Sequence, residues 1–271
     1  MPEPDISSHR PRKRFGQNFL HDASVLQHII ATVDPHRDDH IVEIGPGKGF
    51  LTQPLLEQSG RVDVIELDRD LVAYLAEKFR AKDTLYIHSA DALTFNYCLL
   101  EKSPEKLRIV GNLPYNISTP LMFHLLDYTK CIRDMHFMLQ KEVANRLAAQ
   151  AGTAAYGRLS LMIQYYCHVE RLFFVAPGSF TPAPKVDSAF VRLVPHGKPP
   201  VHVTDEFIFK QLIAQAFSQR RKTIRNSLKR SLTTDQILAA GIDPGLRAEA
   251  LTLAEFALLS NTVSDISGSL K

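Results

Sequence analysis

His40-Ile41-Val42-Glu43-Ile44-Gly45-Pro46-Gly47-Lys48-Gly49 decides the fold. A β-rich, mostly apolar run passes into glycines at alternate positions, and Leu51 to Gln58 then carries helical patterning. A strand that ends in a glycine turn and opens a helix puts a closely approachable backbone at the carboxyl end of a parallel sheet. The dinucleotide fingerprint would need glycine where this chain has Phe50, and the G-x-x-x-x-G-K phosphate loop is also absent, so NAD and ATP both lose ground.

Outward from that turn, strand-like and helix-like periods alternate as far as Gln140, the signature of parallel strands joined by crossover helices. Arg61 to Glu66 reads as a second strand, and Arg69 to Arg80 as a helix with Leu71, Leu75 and Phe79 on one face. Leu85 to His88, Leu107 to Gly111 and Met135 to Gln140 supply further strands, with helices over Pro120 to Tyr128 and Lys141 to Gln150. Arg171 to Val175 and Ser188 to Val194 are late strands. His196 to Pro200 (H-G-K-P-P) breaks the pattern. The expectation is a Rossmann-like α/β domain over 1–197 and a small all-helical domain over 198–271, with helices at Phe207 to Phe217, Arg221 to Leu232 and Leu251 to Leu259.

Composition sets the outer bounds. With 271 residues, 45% apolar and 23% charged, the chain can bury a sizeable core and is neither disordered nor repetitive. The three cysteines, Cys98, Cys131 and Cys167, are widely spaced and form no C-x-x-C pair, which argues against a disulfide framework and against a zinc site. The eleven histidines are scattered without ligand spacing and read as surface residues. No metal is expected. The basic N-terminus has no apolar run behind it, and no segment approaches the roughly 20 apolar residues of a membrane span. A soluble cytoplasmic protein is expected.

Two acidic residues continue the glycine turn along the sheet edge. Glu66 ends the second strand, where a carboxylate can accept both hydroxyls of a ribose. Asp91 follows the third strand, where it can meet an adenine edge. Singly, each could be only a turn residue or a helix cap. In register on successive strand ends with Gly45 and Gly47, they fit S-adenosyl-L-methionine.

The fourth strand runs into Asn112-Leu113-Pro114-Tyr115, the most specific segment of the chain. This resembles the N-x-P-Y form of the D/N-P-P-Y motif of amino-group methyltransferases, and the chemistry explains its residues. An exocyclic amine on a base is a poor nucleophile because its lone pair is delocalised into the ring, so a catalyst must favour the pyramidal geometry that frees it. Acceptors for its hydrogens, the Asn112 side-chain oxygen and a carbonyl near Leu113 or Pro114, hold the nitrogen in line and stabilise growing positive charge. Tyr115 would stack on a base taken out of its helix. Residue chemistry reaches this far, to an adenine or cytosine amine methyltransferase.

The chain as a whole resembles the ribosomal RNA small-subunit adenine dimethyltransferase family. The resemblance is carried by Arg14 to Leu20 (R-F-G-Q-N-F-L), Glu43 to Gly49, Val64 to Asp68, Asn112 to Thr119 (N-L-P-Y-N-I-S-T), Phe180 to Ser188 (F-T-P-A-P-K-V-D-S) and Phe217 to Leu228 (F-S-Q-R-R-K-T-I-R-N-S-L). It implies that Asn18 and Leu20 contact the cofactor with Gly45, Glu66 and Asp91, that Asn112 sits between cofactor and target amine, and that Phe180 closes the face of the base opposite Tyr115. It also implies the substrate: two adjacent adenosines in the hairpin loop near the 3′ end of small-subunit ribosomal RNA, dimethylated at N6 in an assembling small ribosomal subunit. Phe50 and Ala183 depart from the familiar pattern and touch only loop shape.

Between Lys210 and Arg230 lie seven basic residues and no acidic one, against a net charge of +3 for the whole chain. Solvated faces mix signs, so Arg220, Arg221, Lys222, Arg225 and Lys229 are candidates for RNA phosphate contact. His9 to Arg14 is a second basic cluster. Two alternatives stay open on the sequence: a large-subunit RNA adenine methyltransferase of the antibiotic-resistance type, and a non-enzymatic assembly factor that keeps the fold as an RNA platform.

Overall fold

The computed structural model describes residues 17–100, 105–219 and 221–269. The chain enters through a two-residue strand β1 (Phe19–Leu20) and helix α1 (Ala23–Val33), which is capped by Asp22 accepting from the amides of Ser24 and Val25. Then come β2 (His40–Ile44), α2 (Thr52–Gln58), β3 (Arg61–Glu66), α3 (Arg69–Lys78), β4 (Leu85–Ser89) and β5 (Leu107–Asn112). After α4 (Ser118–Leu126), β6 (Ile132–Gln140), α5 (Lys141–Leu147) and α6 (Arg158–Tyr166) follow β7 (Cys167–Val175), β8 (Phe180–Thr181) and β9 (Ser188–Pro195).

Seven strands form one sheet in the order β4-β3-β2-β5-β6-β9-β7. Pairing is parallel from β4 through β6, and β9 runs antiparallel to β6 with Gln140 opposite Ser188. The chain builds outward from β2 to β4, then returns to place β5 on the other side of β2. That reversal opens a crevice at the carboxyl ends of β2 and β5, where ligands of open α/β sheets bind. β2 is buried along its whole length and β3 nearly so, as expected for strands covered on both faces.

The amino-terminal edge of the sheet is pinned by buried charge. Arg108 donates from Nε to both oxygens of Asp134 at 3.1 Å, from Nη1 to Asp39 at 2.6 Å, and from Nη2 to the Val33 carbonyl at 2.6 Å, so it ties the end of α1 to β5 and β6. Asp63 is bonded by His40 Nε2 and His88 Nε2, each at 2.6 Å, and by Arg61 Nε at 2.7 Å. Burial alone would raise the Asp63 carboxyl, but these hydrogen bonds outweigh it and hold the group well below the usual carboxylate range.

The chain folds as two compact units, Met1–Ala144 with Val169–Pro195, and Asn145–His168 with His196–Lys271. The second thus takes in residues 145–168, which the sequence pattern assigns to the first. Its remaining helices are α7 (Glu206–Phe217), α8 (Ile224–Ser227), α9 (Thr234–Ala239) and α10 (Leu253–Ser269).

The structure corrects several expectations. The helix expected over Arg221 to Leu232 shrinks to the four residues of α8; it does not begin before Ile224, because the Ile224 and Arg225 amides bond the carbonyls of Leu246 and Pro244 and Thr223 bridges Arg247. Cys98 and Cys131 are joined as a disulfide, with Cα atoms 5.5 Å apart. They lie 33 residues apart in sequence, a separation that hides their proximity. Cys167 alone is free, and burial pushes its thiol up to about 12. His40 and His136 are buried rather than superficial.

Candidate active site

The turn after β2 needs its glycines. Gly45, Gly47 and Gly49 have φ of 68°, 58° and 73°, left-handed conformations that side chains resist. A Cβ on Gly47 would lie 2.9 Å from the Phe19 ring, so this glycine also lets the first residue of β1 lie directly on the turn. Gly45 N–H donates to the Ile65 carbonyl at 3.0 Å, fixing the turn against β3.

Glu66, at the end of β3, faces the same turn. Its Oε1 accepts from Asp68 N–H at 2.9 Å and its Oε2 from Gly47 N–H at 3.4 Å. Burial raises this carboxyl above its ordinary value, against the pull of those amides. Beneath it, Glu43 is buried and accepts from Thr52 Oγ1 at 2.6 Å. Burial, with the neighbouring Glu66 charge, pushes Glu43 up to about 7 against that hydrogen bond. In the sequence Glu43 stands only as part of a motif; an acidic residue inside an otherwise apolar strand is the signal that marks it.

A cavity of about 320 Å³ opens above these groups. Asn18, Leu20, Gly45, Gly47, Glu66, Asp91, Asn112, Leu113, Pro114 and Tyr115 all line it, so residues from five separate stretches converge there. Asp91 Oδ1 accepts from Leu93 N–H at 2.9 Å, which makes Asp91 a turn cap and a wall of the cavity at once.

The Asn-Leu-Pro-Tyr segment leaves β5 with its groups constrained. Asn112 Nδ2 donates to the Asn18 carbonyl at 2.8 Å, and Leu113 N–H donates to the Met138 carbonyl at 3.2 Å. Tyr115 shares a 2.8 Å hydrogen bond between its hydroxyl and Ser188 Oγ, and burial raises its phenol above the ordinary value. In the sequence Ser188 only ends the Phe180 to Ser188 motif, with no role of its own; it stands at the start of β9, distant in sequence from the Asn-Leu-Pro-Tyr segment it supports.

Phe180 is placed differently. It does not line the cavity and is only 3% exposed, packed in the core cluster that includes Leu20, Met138 and Phe190. Pairing of β8 with β1 sets Phe180 opposite Leu20.

Arg221, Lys222, Arg225 and Lys229 are all exposed, and no acidic partner is found for them among the described residues. Arg220 and the basic cluster at 9–14 lie outside the described residues. Among the described residues no group of His, Cys, Asp and Glu could hold a metal ion, and no helix is long and apolar enough to cross a membrane.

Known proteins place this geometry. The ribosomal RNA small subunit methyltransferase A of Pseudomonas aeruginosa is 52% identical over 264 residues, covering 97% of this chain and 98% of the relative. Among solved structures, a dimethyladenosine transferase from Plasmodium falciparum superposes with a TM-score of 0.72 at 25% identity, covering 89% of this chain and 95% of that one. The 23S rRNA methyltransferase ErmE gives 0.69 at 27% identity, covering 91% and 100%. Residues 8–265 match the ribosomal RNA adenine dimethylase family, and with more than half of all positions shared with a full-length relative, the chain belongs to that family.

Proposed function

We propose that the protein dimethylates N6 of two adjacent adenosines in the 3′-terminal hairpin loop of small-subunit ribosomal RNA, with S-adenosyl-L-methionine as methyl donor, on an assembling small ribosomal subunit in the cytoplasm. The cavity fits that donor. Its volume of about 320 Å³ falls at the lower end of ordinary ligand pockets, Gly45 and Gly47 of the turn line it, and Glu66 offers a buried acceptor. Asn18, Leu20, Gly45, Gly47, Glu66 and Asp91 would hold it, and when bound it supplies an electrophilic methyl group on a sulfonium.

The chain's own residues do the rest. Because the Asn112 amide nitrogen is committed to the Asn18 carbonyl, its Oδ1 is left to accept from the target amine. Pro114's carbonyl already accepts from Ile117 N–H at 3.2 Å, which favours the Leu113 carbonyl as the second acceptor. Two acceptors in fixed positions turn the amine's lone pair toward the methyl and stabilise charge that grows on nitrogen. Tyr115 stacks on the extruded base with its ring held by Ser188, and Phe180 would reach the opposite face by turning out of its packing beside Leu20. Arg221, Lys222, Arg225 and Lys229, with Arg220, meet RNA phosphates.

The observation that carries this reading is the fixed orientation of Asn112 in the wall of a cavity that Tyr115 also lines. Incubation with labelled S-adenosyl-L-methionine and small subunits lacking the modification should place label in N6,N6-dimethyladenosine of the small-subunit RNA. Label in large-subunit RNA alone would favour the resistance-type alternative, and absence of both transfer and cofactor binding would favour a non-enzymatic assembly factor.

A further inference from the structure

Beyond the pocket, a short chain of contacts leads from Tyr115 to an exposed aromatic ring that the site does not use. Tyr115's hydroxyl is bonded to Ser188 Oγ at 2.8 Å. The preceding residue, Asp187, forms an ion pair with Lys141 at 3.2 Å, and its carbonyl accepts from the Lys141 amide at 3.0 Å. Lys141 in turn sets its ammonium 5.0 Å from the centre of the Phe174 ring. Phe174 is 55% exposed, and Val186 beside Asp187 is 45% exposed.

These groups share one edge of the sheet. Lys141 follows the last residue of β6, Asp187 precedes the first residue of antiparallel β9, and Phe174 is the penultimate residue of β7. A lone exposed apolar residue would need no explanation. Here the ring is held next to a lysine that is itself fixed by a backbone bond and an ion pair to Asp187, the chain neighbour of the Ser188 that holds Tyr115. Single-stranded RNA is bound by aromatic rings that stack on splayed bases together with nearby cations. A base and a ribose-phosphate strand match this ring-and-ammonium pair better than a protein surface, which would leave Lys141 facing an apolar contact.

We infer that Phe174, oriented by Lys141, is a stacking platform for a nucleotide next to the target adenosine in the RNA strand. This rests on the reading of the pocket given above. Holding the neighbour would fix the strand as the target swings into the cavity, so Phe174 is a positioning residue for substrate and not a catalytic one.

The test uses the full chain and unmodified small subunits, with Phe174→Ala and Phe174→Trp. Phe174→Ala should weaken subunit binding roughly 5- to 150-fold, the range of one lost base–aromatic stack, with the cofactor dissociation constant and melting temperature unchanged. Phe174→Trp should restore it. On subunits reconstituted with RNA lacking the base immediately 5′ or 3′ of the target, the Phe174→Ala penalty should vanish for one of the two. Unchanged affinity, no rescue by tryptophan, or a penalty that persists on both abasic RNAs would overturn the platform; the last result would mean that Phe174 meets a protein of the subunit. Wild-type protein that transfers no methyl group to these subunits would instead overturn the reading of the pocket.

Discussion

Asn112 Nδ2 and the Asn18 carbonyl, 94 residues apart in sequence, meet at 2.8 Å, and that contact orients the motif's amide. A carbonyl can only accept, so the nitrogen of Asn112 must face Asn18 and the oxygen must face elsewhere. The segment leading into β1 therefore sets the polarity of the acceptor, and the first residue of β1 covers the glycine turn.

Asn112→Ala should lower single-turnover methyl transfer on the order of 10²-fold at saturating RNA, as for other preorganised polar groups. Asn112→Asp should not rescue it, since a carboxylate oxygen would oppose the Asn18 carbonyl with no hydrogen to share. Near-normal rates for either variant would remove Asn112 Oδ1 from the reaction.

Glu66→Ala should weaken S-adenosyl-L-methionine binding measured by calorimetry. Each hydrogen bond to a charged acceptor is worth about 1.5–3 kcal/mol, roughly 10- to 150-fold per bond. Glu66→Gln should lose less, because it keeps one acceptor oxygen. The amides of Gly47 and Asp68 are also released in Glu66→Ala, so the glycine turn should loosen, visible as faster amide exchange there. An unchanged dissociation constant in both variants would take Glu66 out of the ribose site.

Much of this is legible in the sequence, and the gaps have physical causes. The glycine turn, Glu66, Asp91 and Asn112 to Tyr115 sit on strand ends whose period and turn chemistry are local, so their convergence follows from parallel-sheet topology alone. Phe180, Ser188 and the Cys98–Cys131 pair depend on which distant segments meet, and no local period encodes that. The helix around α8 looks longer in the sequence because Ile224 and Leu228 have helical spacing, while the amides at 224 and 225 are claimed by residues 246 and 244. α9 carries a readable signal of its own: Thr233 and Gln236 form a capping box.

Glu43 predicts a pH dependence. Its carboxyl is raised from 4.5 to about 7 by burial first and by Glu66 next, so between those values the native state binds more protons than the unfolded chain. Stability from this group is therefore present at low pH and is lost as pH rises from about 4.5 to about 7. Asp63 works in the opposite sense and over a lower window, because its depressed carboxyl loses stability only as pH falls below the ordinary carboxylate range. Glu43→Gln should flatten the fall in unfolding free energy between pH 4.5 and about pH 7 relative to wild type. Parallel pH profiles for the two proteins would show that Glu43 titrates normally.

Arg108→Met should destabilise the fold by about 3–5 kcal/mol in denaturant titration, since it strands the buried carboxylates of Asp39 and Asp134. Arg133 lies 3.0 Å from Asp39 and compensates in part, so Arg108→Met with Arg133→Gln should lose more than the sum of the single changes. Strict additivity would mean that the two arginines do not share their partners.

Charge reversal in the helical unit tests where RNA affinity resides. Arg221, Lys222 and Arg225 are exposed and lack acidic partners among the described residues, so reversing them breaks no ion pair there. Each phosphate neutralised by Arg or Lys releases counterion, and the logarithm of affinity then falls with the logarithm of salt by roughly 0.7 per contact on single strands, more on duplex. Changing all three to glutamate should lower affinity for the small subunit, flatten that slope by about two units if all three touch phosphate, and leave cofactor binding intact. Methylation should fall through substrate binding, so higher subunit concentration should recover most of the rate. A triple variant with the wild-type slope and affinity would reduce this cluster to a solvated surface and move RNA recognition to the unit that carries the cavity.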